Sequence, residues 1–254
     1  MRKFFQILLV TVLLVASSLA IAEDFGDDVI EAEGVVYYEP GMNPSAMRRV
    51  AIMDAQRLLA EQVDTLYVTS ESTVKNLRDL DDQINTRVSA ALRGARIVSV
   101  NRESDGSFHA KLRLSMYGGS TSIAAAVLNE KVVVEDFPKP KTTNIVSEVN
   151  YTGLVVDCRG LNLSKAISPT IKSDDGTEIY AYKNLGYQTA VDKGIVEYSS
   201  TLDAPRAGSS PLVIKATKIS GTCDVVVSAQ DADKILTANQ SAKFLDNCAV
   251  VLVR

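Results

Sequence analysis

The sequence predicts an α+β fold built as two small domains, each a β-sheet covered by helices. Three observations predict it. Residues 29–117 alternate between period-2 and period-3.6 apolar patterns, in the order strand, helix, strand, helix, hairpin. A polar stretch with two prolines, Glu135-Asp136-Phe137-Pro138-Lys139-Pro140-Lys141-Thr142-Thr143, then interrupts both patterns. Beyond it lie short β-branched runs separated by turn residues, with one well-capped helix.

The chain opens as a secretory leader. Met1-Arg2-Lys3 is basic, Phe4 to Ala22 is almost wholly apolar, and Ala20-Ile21-Ala22 forms a small-x-small site before Glu23-Asp24. The expected organisation is a signal peptide at 1–22, an α+β domain at 23–134, a linker at 135–143 and a second, strand-rich α+β domain at 144–254. Cleavage between Ala22 and Glu23 leaves no cysteine at the new N-terminus, so no lipid anchor is expected. No later apolar run approaches the roughly 20 residues of a spanning helix, so no transmembrane span is expected after cleavage. The protein reads as exported, periplasmic or associated with the cell envelope.

In the first domain, Val29 to Tyr38 reads as a strand ending at Pro40-Gly41. Asn43-Pro44 starts a helix, with Asn as N-cap and Pro at the first helical position. Met47, Val50, Ala51, Ala55, Leu58, Leu59 and Val63 form its apolar face, expected to pack on Phe108, Leu112 and Leu114. Arg48 and Arg49 fall on the outer face. Tyr67 to Val74 looks like a second strand. Leu77, Leu80, Ile84, Val88, Ala91 and Leu92 trace one further amphipathic helix, closed by Gly94. Ala95 to Glu103 and Phe108 to Met116 flank the turn Ser104-Asp105-Gly106-Ser107 as a hairpin. A short helix over 120–130 completes the domain.

The second half offers strands at Gly153–Cys158, Thr170–Ser173, Glu178–Tyr182, Leu212–Ile219, Asp224–Val227 and Ala249–Val253. Asp174-Asp175-Gly176 turns between the second and third. Ser228 caps a helix running to about Asn239, with Asp231 at the third position, where the helix dipole favours negative charge.

Composition excludes several functions. The net charge is −4 with both signs interspersed, there is no Trp, and aromatics make up 6%. No basic footprint for nucleic acid or anionic lipid results. Three cysteines, Cys158, Cys223 and Cys248, allow at most one internal disulfide. Cys223 and Cys248 flank strand-like runs and are candidates for neighbours in one sheet; three buried free thiols are the alternative. With one histidine and no Cys-x-x-Cys, no metal site is expected. No phosphate loop, nucleophile elbow or dinucleotide fingerprint occurs, and no cofactor is expected.

Individual candidates read as structural. His109 stands on the polar side of a strand, with no orienting partner or nucleophile evident in the sequence. Asp54 is placed to pair with Arg57 one turn on. Asp79, Asp81 and Asp82 imitate part of a calcium loop but lack its glycine and terminal glutamate. No catalytic residue is assigned.

Glu33-Gly34, the helix Ala46-Met47-Arg48-Arg49-Val50-Ala51-Ile52-Met53-Asp54-Ala55-Gln56-Arg57-Leu58-Leu59 and the Asp105-Gly106 hairpin resemble the LPP-twenty-type lipoprotein family over residues 29–117. The stretch is also similar to the N-terminal domain of flagellar assembly protein T. The resemblance implies a compact α+β fold, envelope or flagellum-associated surroundings, and no catalytic residues. The expected function is a non-enzymatic envelope protein working through protein–protein contacts, with an envelope partner or by self-assembly, and with Arg48 and Arg49 as candidate interaction residues. A periplasmic module binding a small molecule or ion is the second class, and a hydrolase or redox enzyme the third.

Overall fold

The computed structural model describes residues 29–141 and 150–254. The predicted signal peptide and residues 142–143 of the expected linker lie outside the described residues.

The N-terminal unit is a three-stranded antiparallel sheet under one long helix. β1 (Val29–Val36), β4 (Arg96–Arg102) and β5 (Phe108–Ser115) lie in the order β1-β5-β4. α1 (Pro44–Thr65) crosses β1 and β5. Its start follows from local chemistry: Pro44 needs no N–H partner, and the Asn43 side chain accepts the Ser45 N–H at 2.9 Å. The buried row is Met47, Ala51, Ala55, Leu59 and Val63, a strict four-residue spacing. Ala51 and Ala55 are small for a reason. A Cβ on Gly34 would stand 2.2 Å from the Ala55 nitrogen, so strand and helix backbones touch there.

Four sequence expectations change here. Val50 is 49% exposed and Leu58 only half-buried, because the row drifts around the helix and Leu59, not Leu58, reaches the sheet. Tyr67–Val74 is not one strand. β2 (Tyr67–Thr69) and β3 (Ser72–Thr73) form a small hairpin, and α2 (Val74–Leu80) begins where Thr73 and Asn76 cap each other reciprocally. The following amphipathic pattern is two helices. Asp81 accepts from Gln83 N at 2.7 Å and Ile84 N at 3.2 Å, capping α3 (Asp82–Arg93) and leaving Leu80 84% exposed. The short helix expected over 120–130 is a single buried turn and a half, α4 (Ile123–Val127), capped by Ser122.

The C-terminal unit holds two four-stranded sheets. β6 (Gly153–Asp157), β9 (Glu197–Ser199), β10 (Pro211–Lys215) and β13 (Val250–Val253) form an all-parallel sheet, order β10-β6-β13-β9. β6 and β13 are apolar and buried along almost their whole length, as central strands of a parallel sheet require. β7 (Ile171–Ser173), β8 (Glu178–Tyr180), β11 (Lys218–Ser220) and β12 (Asp224–Val227) form a mixed sheet, order β11-β12-β7-β8. The run expected as one strand over Leu212–Ile219 changes sheets at its middle. Ala216 N bonds Asp157 O in one sheet and Thr217 N bonds Val226 O in the other. α5 (Tyr187–Lys193) and β9 had no clear sequence signal, since Gly186 caps the helix without a side chain. α6 (Ala229–Ala242) starts at Ser228 as expected but continues past Asn239, whose side chain accepts the Leu245 N–H at 2.8 Å.

The two units share one apolar core. Tyr67 and Ala166 form a parallel bridge, and Ile167 N and Ser168 N donate to Tyr67 O and Val68 O. Tyr117 reaches across to Ile167 O at 3.1 Å, and Tyr187 to Ala125 O at 3.2 Å. The polar stretch from Glu135 lies against the C-terminal unit. Glu135 N donates to Lys183 O, Phe137 stacks on Tyr180 with ring centroids 6.3 Å apart, and Lys141 N donates to Asp233.

Candidate functional site

The sequence candidates for chemistry sit in structural pairs. His109 Nδ1 lies 2.8 Å from a Glu33 carboxylate oxygen, across the neighbouring strand on the polar face of the sheet. Asp54 binds the Arg57 guanidinium at 2.8 Å, the pairing expected at i+3, and also accepts the Val35 N–H at 3.3 Å. Asp79 pairs with Lys75 at 2.6 Å on the exposed side of α2, and Asp81 is a helix cap. Among the described residues, no group of three or more His, Cys, Asp or Glu side chains is arranged to hold a metal.

The cysteines are buried free thiols. Cys223 precedes β12 in the mixed sheet and Cys248 precedes β13 in the parallel one, so the expectation that they neighbour each other in one sheet fails. Burial raises the thiol pKa at all three positions, at Cys158 to about 12. A thiol held protonated is a poor nucleophile.

A polar cleft of about 440 Å³ lies between the 135–138 stretch and β8 and is lined by Glu135, Asp136, Glu178 and Lys183 among others. Glu135, Glu178 and Lys183 satisfy one another. Lys183 bridges Glu178 at 3.0 Å and Glu135 at 3.3 Å, while Glu178 is 4.0 Å from Lys172, itself paired with Asp224 at 2.7 Å.

A different surface stands out on the N-terminal unit. Between β1 and α1 the chain runs through Tyr37, Tyr38 and Met42, turning at Gly41 with φ +92°. Tyr38 leans on the β4–β5 turn, where a Cβ on Gly106 would meet its Cβ at 3.2 Å. At the same end of the sheet the Arg102 guanidinium sits 5.9 Å from the Phe108 ring centroid. Tyr37 is 73% exposed and Met53 65%, with Tyr38, Met42 and Val50 also open to solvent. Arg49 and Met53 share one outward face of α1 by their i, i+4 spacing, with Val50 one turn before Met53, while Arg48 is exposed on a different side of the helix. Tyr, Met and Arg are the side chains enriched at protein interfaces.

The sequence singled out Arg48 and Arg49 but missed the apolar half of this surface, having placed Val50 in the core and the tyrosines at a strand end. The strict spacing of Met47, Ala51, Ala55, Leu59 and Val63 is the signal that excludes Val50 and Met53 from the buried row.

Fold and surface together describe a two-unit α+β protein with exposed Tyr, Met and Arg side chains on α1 and on the segment before it. Residues 31–115 match the LPP20 lipoprotein family, as the helix motif implied. Residues 153–254, from the first residue of β6 to the end of β13 and Arg254, match the second domain of Treponema pallidum Tp0624. A comparison with curated proteins found no match. Among the described residues, no helix is long and apolar enough to cross a membrane.

Proposed function

We propose that this is an exported, non-enzymatic envelope protein that works through protein–protein contacts, with the Tyr37, Tyr38, Met42, Arg48, Arg49, Val50 and Met53 surface as its docking face. The similarity of residues 31–115 to a lipoprotein family supports the envelope setting. The flagellum-associated setting rests on the resemblance to flagellar assembly protein T alone. The observation that carries the reading is the exposure of aromatic, methionine and arginine side chains, several of them 40–73% exposed, on α1 and the segment before it. Such anchors concentrate binding energy in a few residues. Attachment in this reading comes from a partner surface and not from Cys158, Cys223 or Cys248, which are buried in the C-terminal unit.

The test is complementation of a deletion strain at matched protein abundance. His109→Ala, Cys158→Ser and Cys223→Ser are expected to retain activity, whereas Arg48→Glu with Arg49→Glu is expected to lose it. Loss in His109→Ala alone, with the arginine variants active, overturns the reading and directs attention to the Glu33–His109 pair.

A further inference from the structure

A cleft between α3 and α4 is rich in hydrogen-bond donors, and no carboxylate lines it. Its volume is about 150 Å³, and Arg87, Ala90, Ser120, Thr121, Ser122 and Ala126 form most of its wall. Gly118 at φ +92° and Gly119 at φ +133° turn the chain out of β5 into the Ser120–Ser122 stretch.

Arg87 is held at one point and otherwise unanswered. Its Nε donates to Ala126 O at 3.0 Å, from α3 to α4. Among the described residues, neither Nη1 nor Nη2 has a hydrogen-bond or ion-pair partner. Arg78 and Arg113 of the same unit instead close on Asp64 and Glu31. Ser122 supplies a second, independent imbalance. It is 2% exposed, and its Oγ accepts the Ala125 N–H at 3.2 Å. No group among the described residues accepts its own proton, and a buried donor without an acceptor is costly. Ser120 and Thr121, both exposed, likewise have no acceptor for their hydroxyl or main-chain N–H groups among the described residues. The first N–H groups of α4 are spent, Ala124 N on Met116 O and Ala125 N on Ser122 Oγ. The free donors are therefore side chains and loop amides, not the helix end.

We propose that this cleft binds a small oxyanion, a phosphate or phosphomonoester group, through Arg87 and the hydroxyls of Ser120, Thr121 and Ser122. Water can accept from the hydroxyls. An oxyanion does that and also balances the guanidinium, whose flat array of donors matches two oxygens of a phosphate. Size agrees with the charge: about 150 Å³ admits a phosphate group but falls short of the roughly 300 Å³ of a drug-sized ligand's pocket. The site shares no residue with the docking face on α1, and neither reading depends on the other.

The experiment is an amide NMR titration of the full-length exported protein. Inorganic phosphate is the probe in one arm and glycerol phosphate in the other, each against potassium chloride at equal ionic strength. Saturable shifts are expected at the Ser120, Thr121 and Ala125 amides and at the Arg87 Nε–H, absent with chloride. Saturation by both probes supports a site for phosphate groups free or esterified; saturation by one alone supports the site and assigns it to that form. Arg87→Gln is expected to weaken binding about tenfold or more. Because that change also removes the tie to Ala126, Ala90→Glu is the second variant. It lies at an exposed helical position, leaves the tie in place and sets a negative charge on the cleft wall. It is expected to weaken binding by a similar factor at an unchanged melting temperature. No saturable shift with either probe overturns the proposal, and so does binding indifferent to both substitutions.

Discussion

At the scale of single residues, Asp157 shows how a local ion pair makes stability depend on pH. Arg159 grips its carboxylate from Nε and Nη2, both at 2.8 Å, and holds the pKa at about 2 against an ordinary 3.8. A carboxylate whose folded pKa is depressed adds stability above its ordinary value and loses it as pH falls through the folded one. Asp157→Asn is therefore expected to flatten the fall in melting temperature between pH 3.8 and about 2; an unchanged slope contradicts this. The effect is small, because Arg159 is 51% exposed and exposed pairs contribute about 0–1 kcal/mol. The local pair of Asp54 with Arg57 was legible in sequence because the partners lie within one helical turn; that of Asp157 with Arg159 was not read. His109 was legible as a polar-face residue. Its partner Glu33 was not, since only the β1–β5 register brings together residues 76 positions apart.

At the scale of elements, the close approach of β1 and α1 makes two predictions. Leu59 is fully buried and Leu58 half-exposed, so Leu59→Ala is expected to cost about 2–5 kcal/mol and Leu58→Ala clearly less. Chemical denaturation of both variants checks this, and an equal or larger loss in Leu58→Ala would place the wrong side of the helix on the sheet. Gly34→Ala puts a methyl group into the backbone of Ala51 and Ala55 and is expected to destabilise by roughly 1–3 kcal/mol or more. A melting temperature unchanged from wild type would show that helix and strand can separate without cost. Caps explain what could be read here: Asn43-Pro44 and Ser228 each mark a helix start by their own chemistry, while Gly94 does stand at the end of α3 but in a right-handed conformation open to any residue. The break at Asp81 and the helix start at Thr73 follow the same chemistry, but continuous apolar spacing masked both. The sheet change at Ala216-Thr217 has no local signal at all, because two separate sheets impose it.

At the scale of the whole molecule, the change of composition at Glu135 separates two patterned halves, yet those halves share a core. The bridge at Tyr67 and Ala166, the Tyr117 bond to Ile167 and the contact of Ser70 with the Cys223 and Asp224 amides tie the first unit to the second. None of these was legible, since each joins residues 50 or more positions apart without a complementary sequence signal. One consequence is a single cooperative thermal transition for the intact chain, seen alike by near- and far-ultraviolet circular dichroism; two resolved transitions would show that the units fold separately. The proposed docking face belongs to this scale as well, because α1 is held by its packing on the sheet. The most direct measurement is cross-linking and co-purification of the tagged protein from its native envelope, comparing wild type, Arg48→Glu with Arg49→Glu, and His109→Ala at equal abundance. A defined cross-linked species, retained by His109→Ala and lost from the arginine variant, is the predicted result; cross-linking indifferent to Arg48 and Arg49 contradicts the assignment of this surface.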